Sequence, residues 1–177
     1  MEPRREAAEF LAGLAPRERA LFSRLSGVAL PAAPAGIERA LAGAPAGAVA
    51  LLATAAARAA GEEPGLARRL GEAALRLARD RGERQLAHVC LAQVHFARRR
   101  NPEELAAFER HCRRAIELGH AGTFCYERLA ALYEYQGRYG EALRVCERAV
   151  EALAGDALSA RRFRSRAERL RRKASGG

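Results

Sequence analysis

The chain has no tryptophan, one methionine, one lysine and few β-branched residues: six valines, two isoleucines and two threonines among 177 positions. So small a stock of β-branched side chains excludes a sheet, because strands are built from residues that fit a pleated, half-buried surface. Long hydrophobic runs are missing too. The stretch AGAVALLATAAARAA at residues 46–60 ends around Arg58 and falls short of the roughly 20 apolar residues of a membrane-spanning helix. It reads as a buried helix, and no transmembrane segment is expected. The N-terminus, MEPRREAAEF, lacks the apolar core of a signal peptide. The four cysteines form no disulfide framework and are expected as reduced, buried thiols. A cytoplasmic protein is the natural expectation.

Alanine, leucine, arginine and glutamate dominate instead, and all four favour helix. The length suffices for one domain with a real core. The net charge of +10 is uneven: residues 161–173 hold eight basic residues against one acid, and the remainder holds 23 against 20. All but one of the 31 basic residues are arginine, the exception being Lys173. Arginine grips carboxylates and phosphates bidentately, although a composition rich in Arg, Ala and Gly also follows from a genome biased toward G and C.

The most regular stretch is TFCYERLAALYEYQGRYGEALRVCERAVEAL, residues 123–153. Tyr126, Leu129, Ala130 and Tyr133 recur at helical spacing. Gly137 breaks the pattern and can take the positive φ that ends a helix. A second stripe follows through Tyr139, Ala142, Leu143, Cys146, Ala149, Val150 and Leu153. Small residues at Ala130, Ala142 and Ala149 admit close backbones, and Leu129, Tyr133 and Tyr139 fill the space beside them. A two-helix unit of about 30 residues cannot bury both faces alone, so it needs stacked neighbours.

The spacing of Leu129, Ala130, Tyr133, Gly137, Tyr139, Ala142, Cys146 and Ala149 resembles the tetratricopeptide repeat, with Tyr126 in the family's aromatic position four. Weaker copies precede it. In residues 83–119, LAQVH (91–95) aligns with LAALY (129–133), His95 replacing Tyr133. CRRAIEL (112–118) aligns with CERAVEA (146–152), which sets Cys112 and Cys146 at the family's period of 34. In residues 46–80, Leu52, Ala53 and Ala74 match, with the turn at GEEPG and Ala56 where the tyrosine would stand. Asp80, Arg81 and Gly82 are expected to end that hairpin, and Asn101 with Pro102 to open the helix after RRRNPEE.

The predicted architecture is all-α: a right-handed α-solenoid of about three such hairpins (46–80, 83–119 and 123–153, within residues 45–155). Residues 1–44 form an N-terminal helical cap or degenerate repeat. Residues 156–177 form a basic C-terminal capping helix and a frayed tail. In the N-terminal part, PRREAAEFLAGL, PRERALFSRLSG and GIERALAGAP read as short helices, and VALPAAPAG as an extended connector. A helix-turn-helix reading of the same region would make AGAVALLATAA the recognition helix, yet only Thr54 there is polar enough to read a base edge. In the capping helix, Ala160, Phe163, Ala167, Leu170 and Ala174 make the apolar stripe.

Catalytic patterns are sparse. None of the five serines lies in a GxSxG elbow, and the chain carries no Walker loop and no GxGxxG. The expectation is a non-enzymatic protein without catalytic residues, cofactor or metal. His88, His95, His111 and His120 cluster with Cys90, Cys112 and Cys125, but the spacing opposes a metal site: His88 and His95 stand two turns, about 10 Å, apart. Packing explains Cys112, Cys146 and His95.

Binding is therefore the expected role. The resemblance implies a concave groove lined by Val89, Gln93 and Phe96 in the second hairpin. In the third it implies Glu127, Ala131 and Glu134 with Phe124 and Tyr135 beside them. Family members that clamp a terminal carboxylate do so with Lys and Asn where this chain has Glu127 and Ala131, so a basic or amphipathic peptide suits the positions better. The alternative of a different class is phosphate binding, to nucleic acid or an anionic surface, through Arg161, Arg162, Arg164, Arg166, Arg169, Arg171, Arg172 and Lys173.

Overall fold

Five helices begin on a proline, where the missing N–H costs nothing and the fixed φ suits the first turn. These are α1 (Pro3–Ala12), α2 (Pro16–Ser26), α3 (Pro34–Gly43), α5 (Pro64–Leu77) and α7 (Pro102–Glu117). The others are α4 (Ala48–Ala59), α6 (Arg81–Ala97), α8 (Phe124–Tyr135), α9 (Tyr139–Ala152) and α10 (Ala157–Ser175). The computed structural model describes residues 3–175, and the described residues form ten helices and no strand. No single helix among them is long and apolar enough to cross a membrane.

Capping explains several boundaries. The side chain of Asn101 accepts from the Glu103 N–H at 2.8 Å, ahead of Pro102. Asp156 accepts from the Ser159 N–H at 3.2 Å and opens α10. Gly119 and Gly137, at φ 86° and 73°, close α7 and α8 in the same way. Past each glycine the next N–H reaches back to a carbonyl five residues earlier, His120 to Ala115 at 3.0 Å and Arg138 to Tyr133 at 2.8 Å. Only a residue tolerant of left-handed φ permits that closure. Two boundaries differ from the sequence reading. Asp80 starts a helix: it accepts from the Glu83 N–H at 2.8 Å while Glu83 accepts from the Arg79 N–H at 2.8 Å, and Arg81 and Gly82 lie inside α6. Reciprocal capping of this kind satisfies two orphan donors at once. Pro34 opens α3 rather than extending the connector.

The chain divides into two compact units, residues 1–111 and residues 112–177, and the division falls inside α7. In the first unit α4 packs on α5 and α6, α5 on α6, and α1 on α3. One apolar core runs through Leu11, Phe22, Ile37, Leu52, Leu66 and Leu70, so residues 3–44 share a core with the hairpin that follows. Arginines strap α2 to that hairpin: Arg24 pairs with Glu62 at 2.6 Å, Arg17 with Glu63 at 3.0 Å, and Arg69 with Glu18. Helix α4 is buried at Val49, Leu51, Leu52, Ala53, Ala55, Ala56 and Ala59. The Thr54 hydroxyl donates to the Ala50 carbonyl at 2.8 Å. A helix enclosed this way cannot enter a DNA groove, which overturns the helix-turn-helix reading.

In the second unit α8 packs on α9, and α9 on α10. Ala130, Ala142, Cys146 and Ala149 are fully buried at these contacts, with Leu129 and Tyr133 beside them. The stripe of α10 buries through Ala160, Phe163, Ala167 and Leu170, and Phe163 meets Tyr126 edge-on at 6.1 Å, but its last expected member, Ala174, is exposed where the helix runs out past its neighbours.

Gly71 marks the closest approach in the first unit: a Cβ there would lie 2.5 Å from Leu91 Cδ2 and 3.6 Å from Ala56 Cβ. Alanine in a helix interior ordinarily gains up to about 1 kcal/mol over glycine, but forcing volume into a packed core costs about 1–3 kcal/mol. Gly71→Ala is therefore expected to destabilise by up to about 2 kcal/mol. Combined with Leu91→Ala it should cost less than the sum of the two single losses. Chemical denaturation of the four proteins of that cycle checks both statements.

Candidate functional site

The residues expected to bind a partner fall on two helices, α6 in the first unit and α8 in the second. On α6, Val89 is buried, with 9% of its surface exposed, which leaves little for a partner. Gln93 and Phe96 are half-buried. The Phe96 ring rests against Phe108 at 5.1 Å and carries the Arg99 guanidinium on its face at 4.5 Å. On α8, Phe124 is half-buried and Ala131 exposed, and Tyr135 stands 92% exposed at the end of the helix.

Glu127 and Glu134 are engaged within their own unit. Arg166 Nε donates to Glu134 at 2.5 Å, Arg169 reaches its other oxygen at 3.4 Å, and Arg162 lies 3.5 Å from Glu127. The acids proposed for a basic peptide are therefore satisfied by three of the arginines proposed for phosphates. Sequence spacing could not reveal this, because it places residues on a helix but does not show which helix α10 covers. Arg171 pairs with Glu147 at 2.7 Å, and Lys173 sits 5.4 Å over the Tyr139 ring. Arg161, Arg164 and Arg172 are exposed and make no ion pair with a described residue.

A polar cluster that the sequence reading dismissed assembles in the first unit. His88 and His95 are two turns apart on α6, but His111 of α7 meets both. The Nδ1 atoms of His88 and His111 share a hydrogen bond at 2.9 Å, and the His95 and His111 rings stack with centroids 5.3 Å apart. The His95 Nδ1–H donates to the buried Glu104 at 2.6 Å, and Arg68 pairs with the other Glu104 oxygen. Burial opposes the Glu104 charge, but the His95 bond and the Arg68 and Arg98 charges outweigh it and hold the carboxyl below its ordinary range. Burial, then the neighbouring His88, His95 and Arg110, push His111 down to about 3. A polar cleft of about 290 Å³ opens over this cluster, lined also by Glu72 and Glu103. No group of three or more ligand side chains among the described residues has the geometry to hold a metal ion.

The fourth histidine belongs to the second unit. His120 stacks on Tyr126 at 5.9 Å, the Tyr126 hydroxyl donates to the His120 carbonyl at 2.9 Å, and burial lowers the imidazole pKa. All four cysteines are buried, and none of them is in a disulfide among the described residues. A hydrogen bond with Cys125, together with burial, raises the Cys112 thiol well above its ordinary value, and burial lifts Cys146 to about 11. Thiols held protonated in this way are poor nucleophiles at neutral pH.

Comparison with family models, curated proteins and solved structures returned no match.

Two predictions follow from this geometry. The folded state takes protons on His111 and His120 less readily than the unfolded chain does. Their contribution to stability is therefore complete above about pH 6.5, the unperturbed value for histidine, and declines as the pH falls below it. Thermal melts between pH 7.5 and 5, above the carboxylate range, should show the midpoint falling with pH, with a shallower slope in His111→Asn. The second concerns α10. Glu134 and Arg166 are largely enclosed, with side chains 17% and 23% exposed, so Glu134→Ala should cost about 1.5–3 kcal/mol, the range for hydrogen bonds to charged groups. Glu127 faces an Arg162 side chain that is 67% exposed, and Glu127→Ala should stay within about 1 kcal/mol, as exposed pairs do. Urea denaturation of the two variants measures the contrast.

Proposed function

We propose that this chain is a non-enzymatic interaction module of tetratricopeptide type that holds a segment of a partner protein. The carrying observation is the burial of its repeating positions. Leu91 and Leu129, Ala92 and Ala130, His95 and Tyr133, Cys112 and Cys146, and Ala115 and Ala149 are buried pair by pair. Repetition is thus spent on packing, as in arrays whose units bury one another. The positions between them differ from hairpin to hairpin and reach the surface: Gln93 and Phe96 on α6, Ala131 and Tyr135 on α8. An aromatic held in solvent on a packed helix, as Tyr135 is, is the kind of residue that anchors protein interfaces. A basic peptide is no longer the best-suited partner, since Glu127 and Glu134 are already neutralised by α10.

The phosphate-binding alternative retains one supporting observation, the outward-facing Arg161, Arg164 and Arg172. Point variants separate the two readings better than truncation, because removing α10 would expose the surface that Phe163, Ala167 and Leu170 cover. A partner captured on the immobilised chain should lose at least tenfold in affinity with Phe96→Ala or with Tyr135→Ala, each unit being tested by itself, and little with Arg161→Glu, Arg164→Glu and Arg172→Glu combined. Capture of nucleic acid alone, abolished by the arginine variants and by salt, would reverse the assignment.

A further inference from the structure

A second surface of α8 carries its own chemistry. The face bearing Glu127, Ala131 and Glu134 is covered at its acids by α10. About 200° around the helix, at 100° per residue, Leu129 and Tyr133 form the floor of an open cleft of about 260 Å³ between the end of α7 and α9. Ile116 and Val145 complete an apolar recess, and the rim is charged, with Arg113 and Glu117 from α7 and Glu141, Arg144 and Arg148 from α9.

The charges on that rim do not balance locally. Glu117 is bonded by Arg114 at 2.8 Å. Glu141 is gripped by both arms of Arg138, at 2.5 and 2.6 Å, and that bond, with the Arg113 and Arg144 charges, keeps its carboxyl below the ordinary range. Both rim acids are therefore taken by arginines that do not line the cleft. Arg144 and Arg148, one turn apart on α9, make no ion pair with a described residue. Side chains at i and i+4 stand about 6 Å apart, a spacing that suits carboxylates one turn apart on a facing helix. The recess is also small. At about 260 Å³ it lies below the roughly 300–1,000 Å³ usual for small-molecule sites, yet it has room for an apolar side chain. An apolar floor under an arginine rim favours an amphipathic anion over a phosphate backbone, which has no apolar group to seat.

We infer that this cleft docks an acidic amphipathic segment of a partner protein, which seats a leucine, isoleucine or phenylalanine side chain against the half-buried Val145, above the buried Ile116, Leu129 and Tyr133, and sets carboxylates against Arg144 and Arg148. The inference rests on the reading of the chain as an interaction module and specifies the chemistry of what it binds. It places the contact on the opposite face of α8 from Glu127, Ala131 and Glu134, where the sequence resemblance implied a groove.

A displayed library of random 12-residue peptides, panned against the full chain, tests it. Enriched peptides should carry an aliphatic or aromatic residue with Asp or Glu three or four positions away. Their affinity, read by fluorescence anisotropy, should fall at least tenfold with Arg144→Glu and Arg148→Glu combined and with Val145→Asp. It should weaken with salt and be unchanged by Arg161→Glu and Arg172→Glu combined, exposed arginines of α10 that do not line the cleft. Circular dichroism confirms that each variant folds, and because Arg144 and Arg148 are exposed their reversal leaves the core intact. Enrichment of basic peptides, or of acidic peptides indifferent to the Arg144 and Arg148 reversal, overturns the inference. If the enriched peptides depend on Phe96 and Tyr135 instead, the inference fails while the interaction module stands. If no peptide is enriched, both fail.

Discussion

Close approach of helix backbones is the constraint on which the rest of this structure depends. Ala53, Ala56, Ala67, Ala74, Ala87, Ala92, Ala115, Ala130, Ala142 and Ala149 are all fully buried, distributed over α4 to α9. An alanine buries little area, so its advantage is the distance it permits: two helices that meet on small residues bring their larger neighbours into contact as well. Helices of this length are marginal alone in water, and most of their stability must come from those contacts. Gly71 shows the limit, since even a methyl group there would collide with Leu91.

A core this tight allows few substitutions at its repeating positions, and one departure has consequences that spread. Where α8 carries Tyr133, α6 carries His95, and both are buried. An imidazole needs hydrogen-bond partners where a phenol ring can pack on its carbons, and burying a polar group without one is costly. The partner here is Glu104, itself buried, and a buried carboxylate in turn requires cations, which Arg68 and Arg98 supply. His111 then stacks on His95 and bonds His88. One change of residue in a packing slot thus brings with it a charged network across α5, α6 and α7.

Much of the fold was readable from local signals. Pro102 at a first turn, Asn101 and Asp156 as caps, and Gly137 as a stop act through their own backbone and nearest neighbours, and each was found where spacing put it. Asp80 was misread because an aspartate two residues ahead of a glycine looks like a stop, while its role depends on Glu83 returning the bond. The site was less readable, for a different reason. His88 with His111 and Glu134 with Arg166 join residues 23 and 32 positions apart. Periodicity orders residues around one helix and carries no information about which helix lies opposite. The composition did signal an excess of arginine, without showing whether those side chains face solvent or one another.

That last question bears on how the chain is recognised. A partner meets only the charge left after internal pairing. Judged by sequence, α8 offers acids at Glu127 and Glu134, and α10 offers a row of cations; folded together, both acids are taken by Arg162, Arg166 and Arg169. On α9 the opposite holds. Glu141 and Glu147 look like counter-charges for Arg144 and Arg148, but Arg138 holds one and Arg171 the other. The surface that appeared acidic is thus close to neutral, and a helix that appeared balanced presents two arginines beside an apolar recess. Exposed ion pairs contribute little to stability, typically under about 1 kcal/mol each. Their larger effect in this chain is to decide which of its many arginines remain for another molecule to find.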